Sequence, residues 1–96
     1  MTRYEWDEAK NQTNREKHGI SFDTAILIFD DPRVVSEVER VVDGEERWQS
    51  IGRIGSVLVV LVAHTWKLEN DADEVVRIIS ARKATPNERK RYEESL

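Results

Sequence analysis

The chain has 96 residues, 39% of them hydrophobic and 35% charged, with no cysteine and a formal charge of −4. That length supports one hydrophobic core, hence one domain over residues 1–96, and the missing thiols exclude disulfides, thiolate nucleophiles and cysteine metal sites. The longest apolar run, Val57 to Ala63, is too short to span a bilayer and no signal-peptide stretch opens the chain, so no membrane contact and a cytoplasmic location are expected.

Asp7 is placed to cap a helix over Glu8 to His18, a stretch free of proline and glycine until Gly19 stops it. Ala9 is the only apolar residue inside it, while Asn14 and either Lys17 or His18 recur at helical spacing from Lys10 or Asn11. Something other than an apolar stripe must dock this helix. Ser21 caps a second helix whose Phe22, Ala25, Ile26 and Phe29 follow helical periodicity, and Asp31-Pro32 ends it because the residue before proline avoids helical angles. From Arg33 the pattern becomes that of strands: Val34 to Val42, Arg47 to Ile54, Val57 to Trp66 and Glu74 to Lys83. Val57 to Val62 is apolar on both faces, as in a central strand, and Arg47, Gln49, Ile51 and Arg53 share one face of theirs. Thr85-Pro86-Asn87-Glu88 places threonine as N-cap, proline first and glutamate third, a capping box that opens a last helix over Pro86 to Ser95. The expected fold class is α+β: two N-terminal helices, a four-stranded antiparallel sheet and a C-terminal helix.

The charge is divided along the chain. Residues 21–50 carry eight acids against three arginines, whereas residues 77–91 carry six cations against Glu88 alone, so a local basic surface survives in an acidic protein. General acid–base chemistry needs a positioned base, an acid and cations to hold developing negative charge, which Glu, His, Lys and Arg can supply. Glu46 at a strand start is a candidate base and Arg47 beside it a candidate phosphate ligand, although a surface ion pair at a turn accounts for the same residues. Arg77 sits among Val75, Val76, Ile78 and Ile79, where an unpaired guanidinium is costly, which suggests either a ligand or a salt bridge to an acid such as Glu46. Arg77 and Arg82 face opposite sides of a regular strand unless a bulge near Ser80 realigns them.

Lys83, Arg89, Lys90 and Arg91 form either a solvated helix face or a track for a phosphate backbone. His18, at the end of the first helix, is a candidate acid or simply a helix-terminal residue, and His64 on the central strand is expected to be a hydrogen-bonded core residue. Two histidines without a spaced carboxylate group make a weak metal signal, so neither metal nor cofactor is expected. Trp6, Trp48 and Trp66 are expected to complete the core rather than stack on bases.

Tyr4-Glu5-Trp6-Asp7, Lys17-His18-Gly19-Ile20-Ser21-Phe22, Gly44-Glu45-Glu46-Arg47-Trp48 and the run from Arg77 to Thr85, with Lys10, Asn14, Glu88-Arg89 and Tyr92, resemble the BrnT family of small bacterial toxins. The resemblance covers nearly the whole chain. It implies a RelE-like fold, endoribonuclease cleavage that halts translation, and a BrnA-type ribbon-helix-helix antitoxin through which alone operator DNA is bound. Together with the spacing arguments it points to Glu46, Arg47, Arg77 and His18 as catalytic residues and to Lys10, Lys17, Arg53, Arg82, Lys83 and Arg89 as RNA contacts. The antitoxin is expected over the basic surface of Arg77, Arg82, Lys83, Arg89 and Arg91. Two departures stand out: the family often has a histidine where this chain has Val41-Val42-Asp43, and the loop Lys67 to Asp73 is longer and more acidic than usual. The rival reading is a non-enzymatic protein-interaction or nucleic-acid-binding module whose arginines are structural.

Overall fold

A computed structural model describes residues 1–95. In chain order it forms β1 (Thr2–Glu5), α1 (Glu8–His18), α2 (Phe22–Ala25) continued by a 3₁₀ segment (Ile26–Asp30), β2 (Val35–Val42), β3 (Glu45–Ile54), β4 (Leu58–Leu68), β5 (Glu74–Lys83) and α3 (Pro86–Glu94). The sheet order is β1-β5-β4-β3-β2. The expected meander is present as β2 to β5, but the expected four-stranded antiparallel sheet is a five-stranded mixed one, because β1 joins β5 in parallel from Thr2 opposite Glu74 to Glu5 opposite Arg77. Four residues are too few to display a period, so this strand left no pattern to read.

The second helix also departs from expectation. Only Phe22–Ala25 is α-helical, and the chain then tightens into the 3₁₀ segment that presses on β3. There a side chain at Gly52 would meet the Ile28 Cβ at 2.7 Å, so the contact requires glycine. Asp43 and Gly44, with φ of 51° and 79°, form the tight turn between β2 and β3.

Each face of the sheet buries its own cluster. Phe22, Ala25 and Ile28 cover Val60, Val62, Val76, Ile78 and Ala81 on one face, called here the helix face. On the opposite face Tyr92 of α3 covers Ile51, Val59 and Leu61, leaving the row toward Thr65 and Arg77 open.

α1 docks through asparagines. β1 stops opposite Arg77, so the edge of β5 beyond it has no strand partner. The buried Asn14 takes that place: its Nδ2 donates to the carbonyls of Ala81 (2.7 Å) and Ile20 (2.9 Å), and its Oδ1 accepts from the Ala81 N–H (3.1 Å). Asn11 Oδ1 accepts from the Phe22 N–H at 2.8 Å. Buried backbone groups are thereby satisfied without an apolar stripe. Among the described residues no helix is long and apolar enough to cross a membrane.

Candidate active site

The open face of the sheet is a row of polar side chains. On β3, Arg47 lies two residues beyond Gln49, which pairs with Ala63; on β5, Arg77 pairs with Thr65. Alternation therefore puts Arg47, Thr65 and Arg77 side by side. Together with Asp7, the N-cap of α1, Lys10 of that helix and Glu45 of β3, they line a narrow cleft of about 70 Å³. Past Lys10 it continues as a shallower groove of about 330 Å³ along α1, where Lys17 and His18 face Ile79 and Ser80.

The cations in the cleft are underused. Arg77 is exposed and has no ion-pair partner among the described residues, because its apolar neighbours Val76 and Ile78 point to the helix face. The expectation of a walled-in Arg77 bridged to Glu46 is thus corrected. The Arg47 Nε is buried without a hydrogen bond and lies 3.6 Å from Glu45 Oε1. A guanidinium held this way keeps donors ready for an anion.

The structure divides the candidate residues. Arg47, Arg77 and Lys10 share the cleft, and Lys17 and His18 share the adjoining groove, His18 lying eight residues and about 12 Å along α1 from Lys10. Glu46 does not join them: on the regular strand β3 it points away from Arg47, to the helix face, where it pairs in register with Val41. Glu45 takes the position in the cleft. Counting back from Arg53 by twos reaches Arg47 and then Glu45, so strand alternation assigns Glu45 and not Glu46 to this face.

The other expected RNA contacts are engaged in the fold or lie elsewhere. Arg82 makes a two-pronged bridge to Glu88, at 2.7 and 3.0 Å. Those bonds and the Thr85 N–H hold the Glu88 carboxyl down to about 2. Arg89 pairs with Glu93 at 3.2 Å, and Arg91 with Glu37 at 2.7 Å. Arg53 lies with its guanidinium 5.7 Å from the Tyr92 ring centre, packed under α3. Lys83 is exposed at the end of β5, in register with Val60 on the helix face. The basic run along β5 and α3 is therefore largely internal pairing.

His64 is a core residue, as expected from its strand. Its Nδ1 donates to the Thr65 carbonyl at 3.0 Å, which leaves Nε2 to accept from Ser50 Oγ at 2.7 Å, and Ser50 in turn accepts from Ser36. Burial pushes its pKa below the usual histidine value. Among the described residues no group of three or more His, Cys, Asp or Glu side chains gathers to hold a metal ion. Trp6 packs edge-on to Phe22, but Trp48 and Trp66 pack edge to face against each other at 5.4 Å with Trp66 left 45% exposed, so they do not complete the core.

Comparison with known proteins shows the family. A family model described as "Ribonuclease toxin, BrnT, of type II toxin-antitoxin system" matches residues 6–88. The crystal structure of the Brucella abortus ribonuclease toxin, BrnT, aligns with a TM-score of 0.58 and 25% sequence identity, covering 88% of this chain and 97% of that one. No curated protein matches significantly.

Proposed function

Because the chain belongs to the BrnT family of ribonuclease toxins of type II toxin-antitoxin systems, we propose that the cleft bounded by Lys10, Glu45, Arg47 and Arg77 is where it cuts RNA. The observation that supports this reading is two guanidiniums side by side on one open face, Arg77 without an ion-pair partner among the described residues and Arg47 held only by Glu45 at 3.6 Å. Every other candidate arginine is bridged or packed.

In this reading Arg47 and Arg77 grip the non-bridging oxygens of the scissile phosphate and stabilise the charge that grows in the phosphorane. Glu45 takes the proton of the 2′-hydroxyl, the 2′-oxygen attacks phosphorus, the bond from phosphorus to the 5′-oxygen breaks, and Lys10 supplies that oxygen with a proton. The product is a 2′,3′-cyclic phosphate and a free 5′-hydroxyl, with no metal needed to make the nucleophile. Lys17 and His18, about 12 Å away, lie along the path of the neighbouring nucleotides. His18 then serves as an RNA contact.

A type II toxin works against an antitoxin. We assign this chain a BrnA-type ribbon-helix-helix partner that carries all operator-DNA contacts, a cytoplasmic site of action, and arrest of translation through RNA loss. The test is chemical: the purified protein, in excess EDTA, should cut RNA and leave ends that resist 3′ ligation until the cyclic phosphate is opened and the phosphate removed to leave a 3′-hydroxyl. Activity that vanishes with EDTA and returns with magnesium overturns the mechanism.

A further inference from the structure

The helix face of the sheet is covered over only part of its area. Beyond Phe29, four large apolar side chains stay in solvent: Val38 (41% exposed), Val41 (62%), Trp66 (45%) and Leu68 (71%). Register puts Val38 beside Trp48, and Trp48 meets Trp66 edge to face, so Val38 and Trp66 flank one continuous aromatic surface. A patch of that kind on a small protein marks a binding surface.

Its chemistry is aromatic and acidic. Beside the patch opens a pocket of about 220 Å³ between Tyr4, Phe29, Trp66 and Glu74, with the buried His64 in its wall. Glu74 accepts from the Thr2 hydroxyl at 3.3 Å, and no cation pairs with Glu74, Asp30 or Glu46 among the described residues. Burial and the nearby Asp30 and Glu74 carboxylates raise the Tyr4 pKa, as an electronegative pocket does. Aromatic faces and a free carboxylate suit a cationic side chain and repel a phosphate.

We propose that this surface docks the antitoxin, which lays an amphipathic segment on Val38, Val41, Trp66 and Leu68 and inserts one lysine or arginine side chain into the pocket against Glu74. Charge selects this occupant. A second copy of this acidic chain brings Glu46 and Glu74 against their like, and RNA brings phosphate against them. The surface lies on the opposite side of the sheet from the cleft, so it anchors the partner without using the cleft residues. The inference rests on the family's toxin-antitoxin pairing and is independent of the cleavage centre.

Calorimetric titration of the purified toxin with the antitoxin encoded beside it tests this, with Trp66→Ala and Glu74→Gln as variants. Both should bind at least tenfold more weakly, and Glu74→Gln should show a smaller loss of affinity on adding salt. Both should cut RNA at the wild-type rate, and neither should be silenced by antitoxin at concentrations that silence the wild type. Affinity within twofold of wild type in either variant overturns the proposal. So does a toxin that self-associates on its own and is made monomeric by Trp66→Ala, since the surface then belongs to a second copy. A wild type that binds antitoxin but leaves RNA intact speaks against the cleavage reading alone.

Discussion

Arg77 and Arg82, five residues apart on one strand, stand on the same face of the sheet because Ile79 bulges out of β5 between them. Ser80 pairs with Ala63 and Ile78 with His64, so Ile79 has no partner and the alternation resets. Arg82 consequently reaches Glu88 under α3, while Arg77 faces the open cleft. One bulge turns two similar arginines to different tasks.

The Arg82–Glu88 bridge makes α3 sensitive to acid. Glu88 titrates at about 2 in the folded protein against an ordinary 4.5, so its stabilisation is present in full above about 4.5 and is lost as pH falls through about 2. Glu88→Gln, which also weakens the capping box with Thr85, should cost about 1–3 kcal/mol at pH 7. Denaturant melts should show the gap to wild type closing by pH 2. A gap that is the same at both pH values contradicts the bridge as its source.

Asn14 is the joint between α1 and the sheet. Asn14→Leu removes both donors and the acceptor, leaving the buried Ala81 N–H and two carbonyls unsatisfied, which should cost about 2–4 kcal/mol despite the added apolar surface. A denaturation midpoint at or above the wild-type value sinks this account of how a polar helix docks.

His64 should carry a pH dependence of the opposite origin. Burial lowers its folded pKa below 6.5, so below that value the unfolded chain binds the proton that the folded one refuses. Stability should fall on acidification from pH 6.5, by up to about 1.4 kcal/mol per pH unit until the folded histidine also titrates. His64→Gln should flatten the profile between pH 7 and 5. An unchanged slope places the titrating group elsewhere.

Local signals carried much of the fold. The bounds of α1 were legible from Asp7 and Gly19, and the start of α3 from the Thr85–Glu88 capping box, because caps depend on neighbours in sequence. β1 was not legible, since its four residues owe their conformation to β5, 72 residues downstream for the Thr2–Glu74 pair. The site was half legible. Arg47, Arg77 and Lys10 came from residue type and resemblance, but choosing Glu45 over Glu46 required the strand's alternation, and placing Arg82 on the same face as Arg77 required the Ile79 bulge. Whether a cation is paired is a tertiary fact, and no spacing rule told Arg89 and Arg91 apart from Arg77.

The central claim is that RNA is cut on the open face by Arg47 and Arg77, and it is tested most directly by single-turnover cleavage rates of Arg77→Ala, Arg47→Ala and Glu46→Gln, each with circular dichroism to show a native fold. Loss of a positioned cation from a phosphoryl-transfer centre should slow cleavage by on the order of a hundredfold or more. The account predicts that loss in both arginine variants, with Glu46→Gln cutting at the wild-type rate from the other side of the sheet. A folded Arg77→Ala protein that cuts at the wild-type rate, or a Glu46→Gln protein that does not cut, contradicts it.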